Sequence, residues 1–261
     1  MRVAALIAGL AASLAASAQE VVTIPTRPGV TESFFIANMG DVKPEAIALL
    51  YSGGYGSIRL RLEEGQPRFN EGNFLIRARR EFIRNGIQPV LVDVPSDSIQ
   101  GVTDPYRRSD AQLADFRAVL AEVRKRLPGL PVFVATTSRS TLTAAHLARN
   151  VSPEELAGIV FSSSMVAPGR NWENIGSLDP AEVKVPVLFV HHHGDICQAT
   201  PFSGAERLAR PFALVTVNGG FPPKSDPCEP FSAHGYYGKE APTVDAIAGW
   251  MLKKPFQKDI Q

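Results

Sequence analysis

The sequence predicts an α/β fold, with a mostly parallel central sheet, helices on both faces and little or no lid domain. Three observations predict it. Strand-like and helix-like segments alternate along the chain. Several strands, such as Ala46-Ile-Ala-Leu-Leu-Tyr51, are continuous apolar runs, as expected of strands covered on both faces. The residues able to do chemistry follow strands, where sheets of this kind bind ligands.

Taken in order, Val21 to Ile24 and Thr31 to Ala37 read as short strands separated by proline and glycine. The strand Ala46 to Tyr51 ends in a glycine-dense loop, Ser52-Gly53-Gly54-Tyr55-Gly56. Arg77 to Asn85 reads as an amphipathic helix stopped by Asn85-Gly86, and Ile87 to Val94 as the next strand. Ser109 to Leu127 has a Ser/Asp start, apolar positions at Leu113, Phe116, Leu120 and Val123, and a Lys-Arg-Leu-Pro exit, so it is the clearest helix. Strands are expected over Leu156 to Ser162, Val185 to His191 and Phe212 to Val217, with a helix beginning at Ser203 and a closing helix over Thr243 to Lys253. The stretch from Ser163 to Lys184 is too short for a large lid.

The chain is organised around residues 131–148. Val132 to Ala135 favours a strand, Thr136-Thr-Ser138-Arg-Ser140 is small and polar, and an Ala/Leu-rich segment with helical spacing follows. Such a strand–turn–helix puts Ser138 at an apex, beside the Arg139 amide at a helix N-terminus: a nucleophile next to a donor for developing negative charge. The usual pattern, G-x-S-x-G, is not met, because Thr136 and Ser140 occupy the glycine positions.

A serine hydroxyl needs an imidazole to take its proton, and the imidazole needs a carboxylate to fix its tautomer and stabilise its charged form. Asp195 follows the strand Val185 to His191, and His234 lies in the last long loop. The order Ser138, Asp195, His234 is therefore nucleophile, acid, base. Asp93, Asp97 and Asp226 compete for the acid role; the first two follow the strand before the one that carries Ser138 and are expected to shape the loop beside the site or touch substrate, the last to form a turn. His191, His192 and His193 compete for the base and raise a metal reading. A strand alternates its side chains, however, and no carboxylate or cysteine spacing completes a metal set. His146 is expected to be a packing or surface residue. No cofactor is implied. A second oxyanion donor is expected from Gly54 or Tyr55, since glycines let backbone approach a substrate closely. Tyr55, Tyr106, Arg139, Tyr236 and Tyr237 are expected neighbours of a substrate, with a salt bridge to the scaffold the competing role for Arg139.

Composition narrows the function. With 261 residues, 44% hydrophobic and 20% charged, the chain is ordinary for one α/β domain over residues 19–261. A net charge of +1 without a basic block argues against nucleic acid as a partner. At the N-terminus, Met1-Arg2, an apolar run from Val3 to about Leu14, and Ala16-Ser17-Ala18 read as a signal peptide cleaved after Ala18. The expected product is secreted or periplasmic, with no stable membrane insertion after cleavage. Cys197 and Cys228 then sit in an oxidising compartment, where one disulfide is the default.

These segments resemble the α/β-hydrolase superfamily, in particular a group of small exported bacterial members. The resemblance lies in Gly53-Gly-Tyr-Gly56, Asp93-Val-Pro-Ser-Asp97, TTSRS at 136–140, HHHGDIC at 191–197 and Cys228-x5-His234-Gly-Tyr-Tyr-Gly238, and spans nearly all of the chain after residue 18. It implies Ser138 as nucleophile, Asp195 as acid, His234 as base and a Cys197–Cys228 bridge. Thr136 and Ser140 depart from that group's glycines. The expected activity is carboxylic-ester hydrolysis through an acyl-enzyme on a small-molecule or polymer-borne ester. A peptidase, amidase or thioesterase would use the same residues. The lost elbow glycines leave a non-catalytic binding protein as the reading from another class.

Overall fold

The computed structural model describes residues 19–261; the signal-peptide expectation for residues 1–18 lies outside them. The strands are β1 (Glu20–Arg27), β2 (Val30–Ile36), β3 (Ala46–Tyr51), β4 (Arg61–Glu63), β5 (Gln66–Arg68), β6 (Ile87–Val92), β7 (Val132–Thr137), β8 (Gly158–Ser162), β9 (Val187–His192), β10 (Ala213–Val217) and β11 (Asp259–Ile260). The helices are α1 (Phe74–Arg77), α2 (Arg79–Arg84), α3 (Asp104–Arg107), α4 (Asp110–Arg126), α5 (Thr141–Asn150), α6 (Phe202–Ala209) and α7 (Glu240–Met251).

Nine strands form one sheet in the order β1-β2-β6-β3-β7-β8-β9-β10-β11. β1 pairs antiparallel with β2, and β2 with β6; every pairing from β6 onward is parallel. β1 and β2 are joined through Pro28 and Gly29, with Gly29 at φ +73°. β6 is laid on one side of β3 and β7 on the other. The chain therefore reverses its direction of progress across the sheet at β3, and crevices form beyond the strand ends at such points. Tyr51 of β3 sits opposite Thr136 of β7, which brings the SGGYG loop alongside the turn carrying Ser138.

Period-two alternation divides the core. Ile47, Leu49, Val132 and Val134 face a cluster with Phe116 and Val119 of α4, Leu142 and Leu147 of α5, and Ala205 of α6. Ala46, Ala48, Leu50, Phe133 and Ala135 face the other side, packing with Phe74 of α1, Phe82 of α2, and Val244 and Ile247 of α7. Helices thus cover both faces, as the apolar runs predict. Ser109 caps α4 by accepting the Gln112 N–H. Between β8 and β9 the described chain contains one 3-10 turn, Pro180–Glu182, and no lid.

Some elements differ from expectation. The helix expected over Arg77 to Asn85 begins earlier and is split in two. Asn73 caps α1 by accepting the Leu75 N–H, and the break falls at Ala78, which ends α1 and begins α2. The β4–β5 hairpin, β11 and α3 were not expected from the sequence. β4 is wholly exposed and β5 nearly so, and neither has an apolar face to register as a pattern.

Candidate active site

β7 runs into a 3-10 turn, Ser138–Ser140, and then α5. Ser138 adopts φ +54°, a left-handed conformation that costs a non-glycine residue about 1–3 kcal/mol and recurs at functional sites. The two departures from glycine are both buried and hydrogen-bonded. Thr136 Oγ1 donates to the Val160 carbonyl at 2.9 Å, and Ser162 Oγ donates to the Thr136 carbonyl at 2.8 Å. Ser140 Oγ accepts the Thr137 N–H at 2.9 Å and lies 2.9 Å from the Tyr51 carbonyl. Side chains at these positions thus act as ties between neighbouring strands. The glycine that the local packing demands is Gly53 instead. A Cβ there would lie 2.9 Å from the Thr137 carbonyl and 3.0 Å from Ser138 Cβ.

Asp195 follows β9 in a tight turn, and its side chain has no exposure. Its Oδ1 accepts the Cys197 N–H at 2.9 Å; its Oδ2 accepts the Thr200 hydroxyl at 2.8 Å and lies 3.0 Å from His234 Nδ1. The Thr200 hydroxyl is also 3.1 Å from that nitrogen. Thr200 is fully buried and was not anticipated from the sequence; a threonine three residues after a cysteine has no distinguishing local pattern. His234 lies in the 3-10 turn Ala233–Gly235, capped by Ser232.

Ser138 and His234 line one cavity of about 220 Å³, with Ser52, Gly53, Gly54 and Asn73 among its other walls. Among the described residues no hydrogen bond joins Ser138 to His234. Of the expected oxyanion donors, Gly54 lines this cavity, whereas Tyr55 and Arg139 line an adjoining open groove with Trp172. Cys197 and Cys228 form a disulfide, and Cys228 reaches the cavity wall. The bridge joins the loop of Asp195 to the loop of His234.

Two anchors hold the His234 loop, and neither was read from the sequence. Ser163 Oγ donates to the His234 carbonyl at 2.7 Å, while the Tyr236 hydroxyl donates to the Val190 carbonyl at 2.8 Å and accepts the Ser163 N–H at 3.0 Å. Arg77 reaches the carbonyls of Gly72 at 2.7 Å, Pro230 at 3.0 Å and Gly235 at 2.5 Å, with Glu240 as its counter-charge. Burial, the largest influence on the Arg77 guanidinium, lowers its pKa, and Glu240 opposes this.

Several expected neighbours of a substrate are elsewhere. Tyr236 is fully buried, its ring 4.5 Å from that of Phe74, and burial raises its pKa. Tyr106 donates its hydroxyl to Asp115 at 2.7 Å. Tyr237 packs edge-on against Phe221 and Phe231. Arg139 pairs with Asp104 through two contacts, Nε to Oδ1 at 2.6 Å and Nη2 to Oδ2 at 2.9 Å, so its charge is met by the scaffold. Only Tyr55 stands out to solvent, at 70% exposure.

The competing carboxylates and histidines have other partners. Asp93 accepts the N–H groups of Ile58 and Leu60 at 2.8 and 2.7 Å and shapes the chain beyond the glycine loop. Asp97 pairs with Arg27, and the Asp226 carbonyl accepts the Glu229 N–H in a turn. His191 is buried, which pushes its pKa down to about 4, and its neutral Nε2 accepts the Ser164 N–H. His192 Nδ1 accepts the Gly194 N–H and its Nε2 donates to the Gly219 carbonyl, so that ring is also spent on backbone. His193 lies against Phe202, and His146 beside Asn150.

The sheet order and the placement of these loops define the α/β-hydrolase fold. No protein-family model matches the chain, and no curated protein matches it by sequence. Solved structures do. Est1E from Butyrivibrio proteoclasticus, determined with ferulic acid bound, is 14% identical with a TM-score of 0.60, over 89% of this chain and 98% of that one. An alpha-beta serine hydrolase homologue from Coxiella burnetii is 15% identical with a TM-score of 0.57, over 90% and 96%. XC6422 from Xanthomonas campestris, a serine hydrolase described as without a lid, is 16% identical with a TM-score of 0.54, over 90% and 92%. What this chain shares with them at such identities is the fold.

Proposed function

We propose that the chain is an exported serine hydrolase that cleaves carboxylic esters through an acyl-enzyme on Ser138. One observation carries the reading. A serine held at φ +54° in a strand-to-helix turn shares a cavity with a histidine whose far ring nitrogen faces a buried, fully hydrogen-bonded aspartate. Ser138 Oγ attacks the ester carbonyl as His234 Nε2 takes its proton, and Asp195 holds the opposite N–H and balances the charge that forms. The oxyanion is met by the amides of Arg139 and of Gly54 or Tyr55; losing one such donor typically costs about 2.7–4 kcal/mol of transition-state stabilisation. The protonated imidazole then protonates the leaving alcohol, and water activated by the same ring releases the acid.

Likeness in fold to esterases and serine hydrolases supports this class. The disulfide supports an oxidising compartment, and among the described residues no helix is long and apolar enough to cross a membrane. The substrate is a small-molecule or polymer-borne ester, reached through an opening without a lid.

The test is intact-mass analysis after a fluorophosphonate probe, with Ser138→Ala as control. One adduct on wild type and none on the variant is expected, and faster turnover of esters than of matched amides and thioesters. A folded, disulfide-bonded protein that takes up no probe would overturn the reading in favour of a binding protein on the same scaffold.

A further inference from the structure

We propose that α3 is a clamp that positions both halves of the oxyanion site, with Arg107 holding the Gly54 loop and Asp104 holding Arg139. The inference rests on the reading of Ser138 as nucleophile and deepens it. It concerns two residues that lie outside the Ser138 cavity.

The observations are geometric. Arg107 is 2% exposed, yet its Nη2 donates to the Gly54 carbonyl at 2.8 Å. A peptide group is planar, so fixing that carbonyl also fixes the Tyr55 N–H on the opposite side of the same plane. The next carbonyl along, that of Tyr55, accepts the Val102 N–H at 2.8 Å. Gly56 approaches so closely that a Cβ there would lie 3.2 Å from Arg107 Nη2. Arg107, the last residue of α3, and Val102, just before the helix, therefore fix two successive peptides of a loop in which Gly54 stands at φ +58° and Gly56 at φ +85°. A glycine-rich loop with such torsions has many conformations open to it, and a buried guanidinium selects one.

One turn earlier on the same helix, Asp104 is also buried and forms the fork-to-fork pair with Arg139. Asp104 Oδ2 further accepts the Glu173 N–H at 3.1 Å, which fixes the carboxylate from a third direction. Arg139 is the residue whose amide supplies the other oxyanion donor. Thr103 caps α3 by accepting the Tyr106 N–H. A four-residue helix thus connects two loops from adjacent strands whose amides must converge on one oxygen. Donors of this kind are effective only when held in place before the reaction. Arg107 and Asp104 are positioning residues, since neither reaches the cavity itself.

The test compares wild type with Arg107→Met, Arg107→Lys and Asp104→Asn. Four readouts are used: thermal unfolding, kcat and KM on an ester, affinity for an arylboronic acid that forms a tetrahedral adduct, and amide exchange over residues 53–56. The clamp predicts that kcat falls about 10–100-fold, as expected for small misplacements around a reacting centre, while KM and the pH profile hold. Boronate affinity falls in step with kcat, exchange over 53–56 rises, and Arg107→Lys recovers part of both. If Arg107→Met fails to fold, Arg107→Lys and Asp104→Asn decide. Folded variants with wild-type kcat, boronate affinity and exchange overturn the clamp while leaving the hydrolase reading intact. Absence of a fluorophosphonate adduct on wild-type Ser138 overturns both.

Discussion

Ser140 Oγ lies 2.9 Å from the Tyr51 carbonyl and binds the first turn after Ser138 to the end of the neighbouring strand. The same oxygen accepts the Thr137 N–H, so one small side chain closes the turn and joins β7 to β3. Replacing it with the customary glycine would leave both backbone groups without that partner. Ser140→Gly is expected to destabilise the protein by about 1–3 kcal/mol and to bring no gain in kcat. Urea unfolding with parallel kinetics checks it; a variant of wild-type stability would show that the tie is dispensable.

Arg77 ties down the His234 loop in the same way, through the carbonyls of Pro230 and Gly235 on either side of His234. Arg77→Met strands those carbonyls and leaves Glu240 without its counter-charge. A loss of about 3 kcal/mol is expected, together with reduced kcat. Calorimetry and steady-state kinetics give both numbers. Unaltered kcat in the folded variant would mean that Ser163 and Tyr236 suffice to hold the loop.

The Cys197–Cys228 bridge spans a sequence separation of 31 and couples the Asp195 loop to the His234 loop. Loop-closure entropy for that span amounts to about 3–4 kcal/mol of stabilisation. Reduction is expected to lower both melting temperature and turnover. Wild-type activity in strong reductant, with both thiols shown free by alkylation, would rule this out.

Glu32 should give stability a pH dependence. It is 4% exposed, and Oε2 has no hydrogen-bond partner among the described residues. Burial first, then the carboxylates of Asp115 and Asp93, hold its pKa well above the ordinary value, with Arg27 opposing and Asp97 adding to the shift. The folded state therefore retains a proton that the unfolded chain releases. Stability is full below the unfolded carboxyl range near about 4.3 and is lost as pH rises toward the raised folded pKa. Glu32→Gln should flatten that decline between pH 5 and 8 in urea titrations. An identical slope in both proteins would assign the effect to another group.

Which parts of the molecule were legible in the sequence follows from how far each signal extends. The parallel sheet was legible because Ala46 to Tyr51 and Val132 to Ala135 are buried on both faces and therefore apolar throughout. The contact between Asp195 and His234 was legible as an order of residue types at strand ends. Ser163, Arg77 and α3 were not, because each acts by pairing a side chain with a group distant in sequence. Arg77 and Gly235 are 158 residues apart, and no local periodicity encodes such a pairing. The split of the Arg77 to Asn85 helix was missed for a similar reason: Asn73 caps a turn that the apolar spacing alone does not delimit.

Residues 197 to 228 form a closed covalent ring that contains α6, β10 and the exposed stretch 219–224. Exposed stretches of this kind are where proteases cut folded chains. A single cut within the ring leaves one covalent molecule, with the segments bearing Asp195 and His234 still joined through sulfur. A cut anywhere else leaves two separate polypeptides. The exposed stretch 219–224 is thus one where cleavage does not divide the chain.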